Sequence, residues 1–226
     1  MSDMKIAVIG STGRTGRLVL EEGLRRGHAM TAFTRRPSLL SGVQGLRAVV
    51  SGDGRNLDDV RRAVRGQEAV ISIVSSEGFG PTTVMSDVMR AELAAMREEG
   101  VHRLVVVSVS AIEGRRPWIL INLVRWLLRK PYADFGRMER LVRSSGLDWT
   151  IVRPPRLTNG PATGRVRSEA NVRELRHGPY SITRADLAAT LLDLARGRDH
   201  TGDVILVSDA KGRDLNLGSF TPRTSP

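Results

Sequence analysis

Seven residues near the start of the chain, Gly10-Ser11-Thr12-Gly13-Arg14-Thr15-Gly16, constrain what it can fold into more than any other stretch. They follow an apolar run, Ile6-Ala7-Val8-Ile9, that reads as a buried strand, and they lead into a segment with helical spacing. Gly10 permits a sharp turn, Gly13 lets the backbone approach a ligand, and Gly16 lets the helix pack close to the sheet. The helix then opens with free N–H groups, which favour an anion such as a diphosphate. Between a strand and a helix, this spacing predicts a dinucleotide-binding turn, with Gly10, Thr12, Gly13, Arg14, Thr15 and Gly16 around the phosphates.

The rest of the chain alternates short apolar runs with helical stretches, the rhythm of parallel strands joined by helical crossovers. Strands are expected over residues 5–9, 29–34, 46–51, 69–74, 103–109, 149–153 and 204–207. The fold class is therefore α/β: a single Rossmann-type, doubly wound parallel sheet of about seven strands with helices on both faces. One domain, 1–208, is expected to include the substrate cleft, followed by a polar C-terminal tail, 209–226. Val84, Val88, Ala91 and Ala95 share one helical face, as do Phe135, Met138, Val142 and Ser145, and later Leu187, Leu191, Leu194 and Ala195. Thr183 and Asp186 stand at capping-box spacing, with Asp in place of Glu. Residues 154–178, rich in Pro and Gly, read as a long loop with room for one short strand or helix. The apolar window 118–128 reads as a helix over the site, against a partner subunit, or in the core.

Composition removes several function classes. There is no cysteine, so disulfides, thiolate metal sites and a cysteine nucleophile are excluded. His28, His102, His177 and His200 lack ligand spacing, no metal is expected, and no Gly-x-Ser-x-Gly elbow is present. The net charge of +11 would favour a polyanion if it were clustered, but the arginines run from Arg14 to Arg223, so a nucleic-acid partner is not expected. The N-terminal apolar run lacks a basic lead-in and a cleavage site, and window 118–128 is about half of a membrane span. A cytoplasmic protein without a membrane span, a monomer or weak homodimer, is the expectation.

The end of the second strand chooses between cofactors. A carboxylate there accepts from a free ribose 2′-hydroxyl, whereas arginine pairs with a 2′-phosphate. Here Ala32-Phe33-Thr34 runs into Arg35-Arg36 with no acid, which favours NADP(H), and Arg14 is placed to help. Asp53, past the third strand, either meets an adenine amino group or is a simple turn aspartate. Val74, Ser75 and Ser76 follow the fourth strand, where the backbone would pass the ribose and diphosphate.

These residues resemble the atypical short-chain dehydrogenase/reductases with an NAD(P)-binding, NmrA-like Rossmann fold, above all the biliverdin reductase B or flavin reductase type. The matching segments are the glycine turn, Arg35, Gly52-Asp53, Pro81-Thr82-Thr83-Val84-Met85-Ser86, Ser145-Gly146-Leu147, Pro154-Pro155, Gly160-Pro161-Ala162-Thr163-Gly164 and Ile182-Thr183-Arg184-Ala185-Asp186-Leu187. The resemblance implies an NADPH-dependent oxidoreductase that passes hydride to a planar acceptor, a flavin, quinone or tetrapyrrole, stacked on the nicotinamide. It places Ser108 or Ser110 at the nicotinamide as the candidate catalytic residues, Ser108 and Pro154 in the cofactor site, and Thr83 and Arg156 near the substrate. Arg156 stands where the family has a histidine; a guanidinium binds an anion but gives up no proton at neutral pH. Tyr132 is followed four residues on by Gly136, so the usual Tyr/Lys pair is missing. The alternative is a non-catalytic, NADP(H)-sensing NmrA-like regulator; a nucleotide-sugar epimerase relationship is disfavoured by the missing pair.

Overall fold

In β1 (Lys5–Ile9) Ile6 and Val8 belong to one core and Ala7 and Ile9 to the other, all four buried. Side chains alternate along a strand, so a run that is apolar at every position has to be covered on both sides. The computed structural model describes residues 3–75, 83–109, 129–172 and 181–210. After β1 come α1 (Arg14–Arg25), β2 (Ala29–Thr34), β3 (Ala48–Ser51), α2 (Leu57–Val64), β4 (Ala69–Ser72), α3 (Val84–Glu98) and β5 (Arg103–Val107). They are followed by α4 (Arg129–Arg143), β6 (Asp148–Arg153), β7 (Arg156–Thr158), β8 (Val166–Ala170), β9 (Ser181–Thr183), α5 (Arg184–Arg196) and β10 (Asp203–Asp209).

The main sheet has the order β3-β2-β1-β4-β5-β6-β10-β8, parallel throughout except for β8, which runs antiparallel to β10. Strands β7 and β9 form a separate parallel pair. Val19 and Leu20 of α1 and Leu187 and Leu191 of α5 cover Ile6, Val8, Ile71 and Val105 on one face. Val60 and Val64 of α2, Met89 and Met96 of α3 and Met138 and Val142 of α4 cover Ala7, Ile9, Val70 and Leu104 on the other. The order reverses between β1 and β4, and a doubly wound sheet opens a crevice at such a point, beyond the carboxyl ends of its strands.

Several expectations need correction. The 154–178 region is not one loop: it holds β7 and β8. Val166-Arg167-Ser168-Glu169-Ala170 carries no apolar run, because β8 is held by backbone pairing from Ala170↔Ile205 to Val166↔Asp209 at the sheet's edge. The sheet therefore has eight strands, and Asp209, read as the first residue of the tail, ends β10. The fourth and fifth strands stop at Ser72 and Val107; Ile73 and Ser108 still donate to the Ile9 and Val152 carbonyls, and with Val74 and Val109 they line the crevice. Val84, grouped with the buried face of its helix, is 38% exposed. The window 118–128 and residues 211–226 lie outside the described residues.

Polar groups tie these layers together. The buried Asp134 carboxylate of α4 accepts the backbone N–H groups of Met85 (2.9 Å) and Ser86 (3.3 Å) and the Ser86 hydroxyl (2.6 Å), capping α3 from a neighbouring helix. Arg103, buried at the start of β5, donates to the Leu194 carbonyl near the end of α5, to the Asp148 carbonyl (2.9 Å) and to the Thr150 hydroxyl (2.9 Å). Glu92 of α3 is wholly buried and accepts from the Ser72 hydroxyl (3.0 Å) at the end of β4.

Burial pushes the Glu92 carboxyl up to about 8, with the Ser72 hydroxyl opposing, so the acid is neutral in the native protein at pH 7. The native state then holds a proton that the unfolded chain has released between pH 4.5 and about 8. Stability falls as pH rises through that window and levels above it. In paired denaturation series, the stability of the native chain relative to a Glu92→Gln variant should decline from pH 5 to pH 8 and then flatten. A difference independent of pH would show that Glu92 is not held protonated.

Candidate active site

The glycine turn is built as its spacing requires. Gly10 sits at φ +84°, and a Cβ there would run into the Ile73 carbonyl oxygen; at Gly16 it would run into the Gly10 carbonyl oxygen. The Ser11 hydroxyl donates to the Phe33 carbonyl (2.7 Å), which fastens the turn to β2. No side chain caps α1, and its first intrahelical bond runs from Arg17 N–H to the Gly13 carbonyl (2.9 Å). The N–H groups of Arg14, Thr15 and Gly16 thus precede the helix's own ladder, at its positive end.

Two cavities meet at this turn. The first, about 250 Å³, lies over β1, β2 and β3 and contains the expected Gly10, Thr12, Gly13, Arg35, Arg36, Asp53, Val74 and Ser75. The second, about 340 Å³, lies over β4, β5 and β6 and contains the expected Gly13, Arg14, Thr15, Gly16, Val74, Ser75, Ser108 and Pro154. Gly13, Ile73, Val74 and Ser75 border both, so the crevice is continuous across the turn, as an extended dinucleotide requires.

Other expected residues fall elsewhere. Arg14 borders the second cavity, whereas Arg35 and Arg36 border the first. Arg156 is exposed and borders neither cavity; the strand alternation of β7 turns Leu157 inward in its place. Thr83 is also exposed and borders neither, its carbonyl accepting from Asp87 N–H (2.8 Å) at the start of α3. Ser76 and Ser110 lie outside the described residues.

Asp53 is engaged by its own loop. Arg55 donates to its carboxylate through the backbone N–H (3.0 Å) and through Nη2 (2.7 Å). These bonds, helped by the charge of Arg35, hold the Asp53 carboxyl down at about 2 against a small opposing effect of burial. Arg36 N–H bonds the Thr34 hydroxyl (3.0 Å), which in turn faces Thr12 (3.3 Å).

The cavities also recruit residues that pattern reasoning passed over. Val84 and Val88 wall the first, the exposure of Val84 now having a use. Phe135, Pro155, Leu157 and Arg184 wall the second. Arg184 lay within the Ile182–Leu187 match, but nothing in its spacing marked it. Its position depends on Asp186, which accepts from Thr163 N–H (2.9 Å), Gly164 N–H (2.9 Å) and the hydroxyls of Thr163 and Thr183 (both 2.9 Å). Burial pushes the Asp186 carboxyl up, but these donors outweigh it and hold it below its ordinary value. The reciprocal half of the expected capping box is thereby redirected: Asp186 N–H bonds the Thr183 hydroxyl (3.0 Å), while the carboxylate anchors the 160–164 loop.

Ser108 is the most informative single residue. It is 2% exposed, its N–H donates to the Val152 carbonyl (2.8 Å), and its hydroxyl, bordering the second cavity, has no partner among the described residues. Buried hydroxyls are normally bonded, so one left over at a cavity wall fits a group that a ligand completes. The Cβ-tight turn, the uncapped helix start, the paired arginines and this hydroxyl together fit a nicotinamide dinucleotide.

The comparisons agree with that fit. The family model described as NAD(P)H-binding matches residues 10–197. The uncharacterized sugar epimerase YhfK of Bacillus subtilis is 28% identical over 196 residues, 84% of this chain and 86% of its own length. The (4-alkanoyl-5-oxo-2,5-dihydrofuran-3-yl)methyl phosphate reductase of Streptomyces griseus is 30% identical over 212 residues, 90% of this chain and 67% of its own. Among solved structures, the anaerobilin reductase ChuY of Escherichia coli O157:H7 superposes with a TM-score of 0.76 at 20% identity, covering 92% of this chain and 98% of that one.

Proposed function

This chain belongs to the NAD(P)H-binding family, and from that premise we propose that it is an NADPH-dependent reductase of the flavin reductase or biliverdin reductase B type, acting on a flat conjugated acceptor. Reduced nicotinamide supplies the hydride. Gly13 and the N–H groups that open α1 hold the diphosphate, Arg35 and Arg36 the 2′-phosphate, and Ser108 orients the nicotinamide end. Val84 and Val88 wall the adenosine side with apolar surface. Phe135, Leu157, Pro154 and Pro155 offer a second apolar wall, against which a planar ring is held and from which water is displaced.

One observation carries the reading. Among the described residues, the second cavity is bordered by no Asp, Glu, His, Lys or Tyr; its only titratable side chains are the guanidiniums of Arg14 and Arg184, which surrender no proton at neutral pH. A wall of this kind suits hydride transfer to an acceptor whose second hydrogen comes from water. The names of two relatives point the same way, one a bilin reductase and one a reductase of a conjugated furanone phosphate.

The test is NADPH oxidation followed at the nicotinamide absorbance with FMN, riboflavin, a quinone and biliverdin in turn. Consumption of NADPH with at least one of them, and reduced acceptor in equal amount, is expected. Tight NADPH binding with no consumption by any of the four would overturn the reductase reading in favour of a dinucleotide-sensing regulator.

A further inference from the structure

Many arginines around this fold have a carboxylate. Arg17 pairs with Glu21, Arg25 and Arg26 with Glu22, Arg55 with Asp53 and Arg153 with Glu139. Arg184 and Arg14 differ. Arg184, the first residue of α5, donates through Nη1 to the Asn159 side-chain oxygen (2.7 Å) and lies 3.4 Å from the Leu157 carbonyl. Its Nε and Nη2 have no partner, and no carboxylate pairs with it, among the described residues. The Arg14 side chain makes no hydrogen bond or ion pair among the described residues, and both residues border the same cavity.

Half-buried and beside a like charge, the Arg184 guanidinium is disfavoured first by burial and then by Arg14, which together hold it below its ordinary value. A fold tolerates such a pair when an anion arrives to balance it. The diphosphate has its own donors at the glycine turn. Arg184 borders the second cavity together with Pro155 and Leu157, and it is held there by the Asn159 bond and by the loop that Asp186 anchors.

Building on the reductase reading, we propose that Arg184, with Arg14 beside it, binds a phosphate or carboxylate carried by the acceptor and so selects anionic flat acceptors over neutral ones of the same ring. Arg184 is the specificity-determining residue: the free Nε–Nη2 edge is the planar fork that matches such an oxyanion in two parallel bonds. Arg14 supplies field rather than geometry, being exposed at the start of α1.

FMN and riboflavin carry one ring and differ by a phosphate, so the test titrates each into the NADP⁺-saturated protein and follows flavin fluorescence. The native chain should hold FMN at least about tenfold more tightly than riboflavin, the difference that charge-assisted bonding to one phosphate produces. Arg184→Met should erase the gap by weakening FMN alone, Arg184→Lys should restore part of it, and NADP⁺ affinity should stay within about twofold in both, since this arginine meets the acceptor and not the cofactor. Equal affinity for the two flavins in the native chain, including no binding of either, overturns the proposal without any variant. A parallel loss of NADP⁺ affinity in Arg184→Met also overturns it, by assigning the guanidinium to the cofactor's phosphates. Preference for FMN with no NADPH oxidation by any of the four acceptors would sink the reductase reading and leave this anion site standing, whereas oxidation with both flavins at one KM would do the reverse.

Discussion

Replacing Arg35 with aspartate should weaken NADPH binding by about 100-fold, the loss of charge-assisted bonds worth about 1.5–3 kcal/mol each to the 2′-phosphate. Arg35 and Arg36 both border the adenosine-side cavity, and the charge of Arg35 reaches Asp53. Aspartate at 35 would therefore set a second carboxylate near Asp53, repelling a 2′-phosphate while accepting from a free 2′-hydroxyl. NADH affinity should hold or improve, so the ratio of the two dissociation constants moves by more than either constant. Arg36→Ala should give a smaller loss for NADPH and none for NADH. Calorimetric titration of both dinucleotides measures the ratio, and a ratio unchanged in Arg35→Asp would remove the arginines from cofactor choice.

Arg153→Met should lower folding stability by about 3–5 kcal/mol, the usual result of stripping one partner from a buried ion pair. Arg153, 2% exposed at the end of β6, bonds Glu139 of α4 through Nε (2.9 Å) and Nη2 (2.6 Å). With methionine there, the buried Glu139 carboxylate keeps Arg143, at 3.6 Å, as an ion-pair partner. The double variant Arg153→Met with Glu139→Leu removes both charges and should recover most of the loss. Urea midpoints at constant m-value read both changes. A single-variant cost below about 1 kcal/mol would mean that the pair is open to solvent. The pair also matters to the site, because Arg153 immediately precedes Pro154 and Pro155 on the wall of the second cavity.

How far the sequence could be read depended on what each residue's signal consisted of. The strands β1, β2, β4 and β5 were legible because a segment buried on both faces must be apolar at every position. Strand β8 was not, because an edge strand is recruited by its backbone, and Val166-Arg167-Ser168-Glu169-Ala170 advertises none of that. The glycine turn was legible because positive φ at Gly10 and the close approach at Gly16 admit no side chain. Arg156 is exposed on β7 while Leu157 borders the cavity, because motif position says nothing of which way a residue faces in a two-strand ribbon. Arg184 and Arg156 are equivalent as letters; only the cavity separates them.

By itself, then, the order of residues determined the α/β class, the phosphate turn and the arginines that follow β2, all of which depend on short-range backbone geometry and on burial patterns within single elements. Only the tertiary structure decided which charges meet. Asp186 bracing the 160–164 loop, the Ser108 hydroxyl left without a partner among the described residues, and the Arg14–Arg184 juxtaposition each join or isolate groups through the packing of several elements. Electrostatic neighbours are set by distance in space, which a linear pattern does not encode.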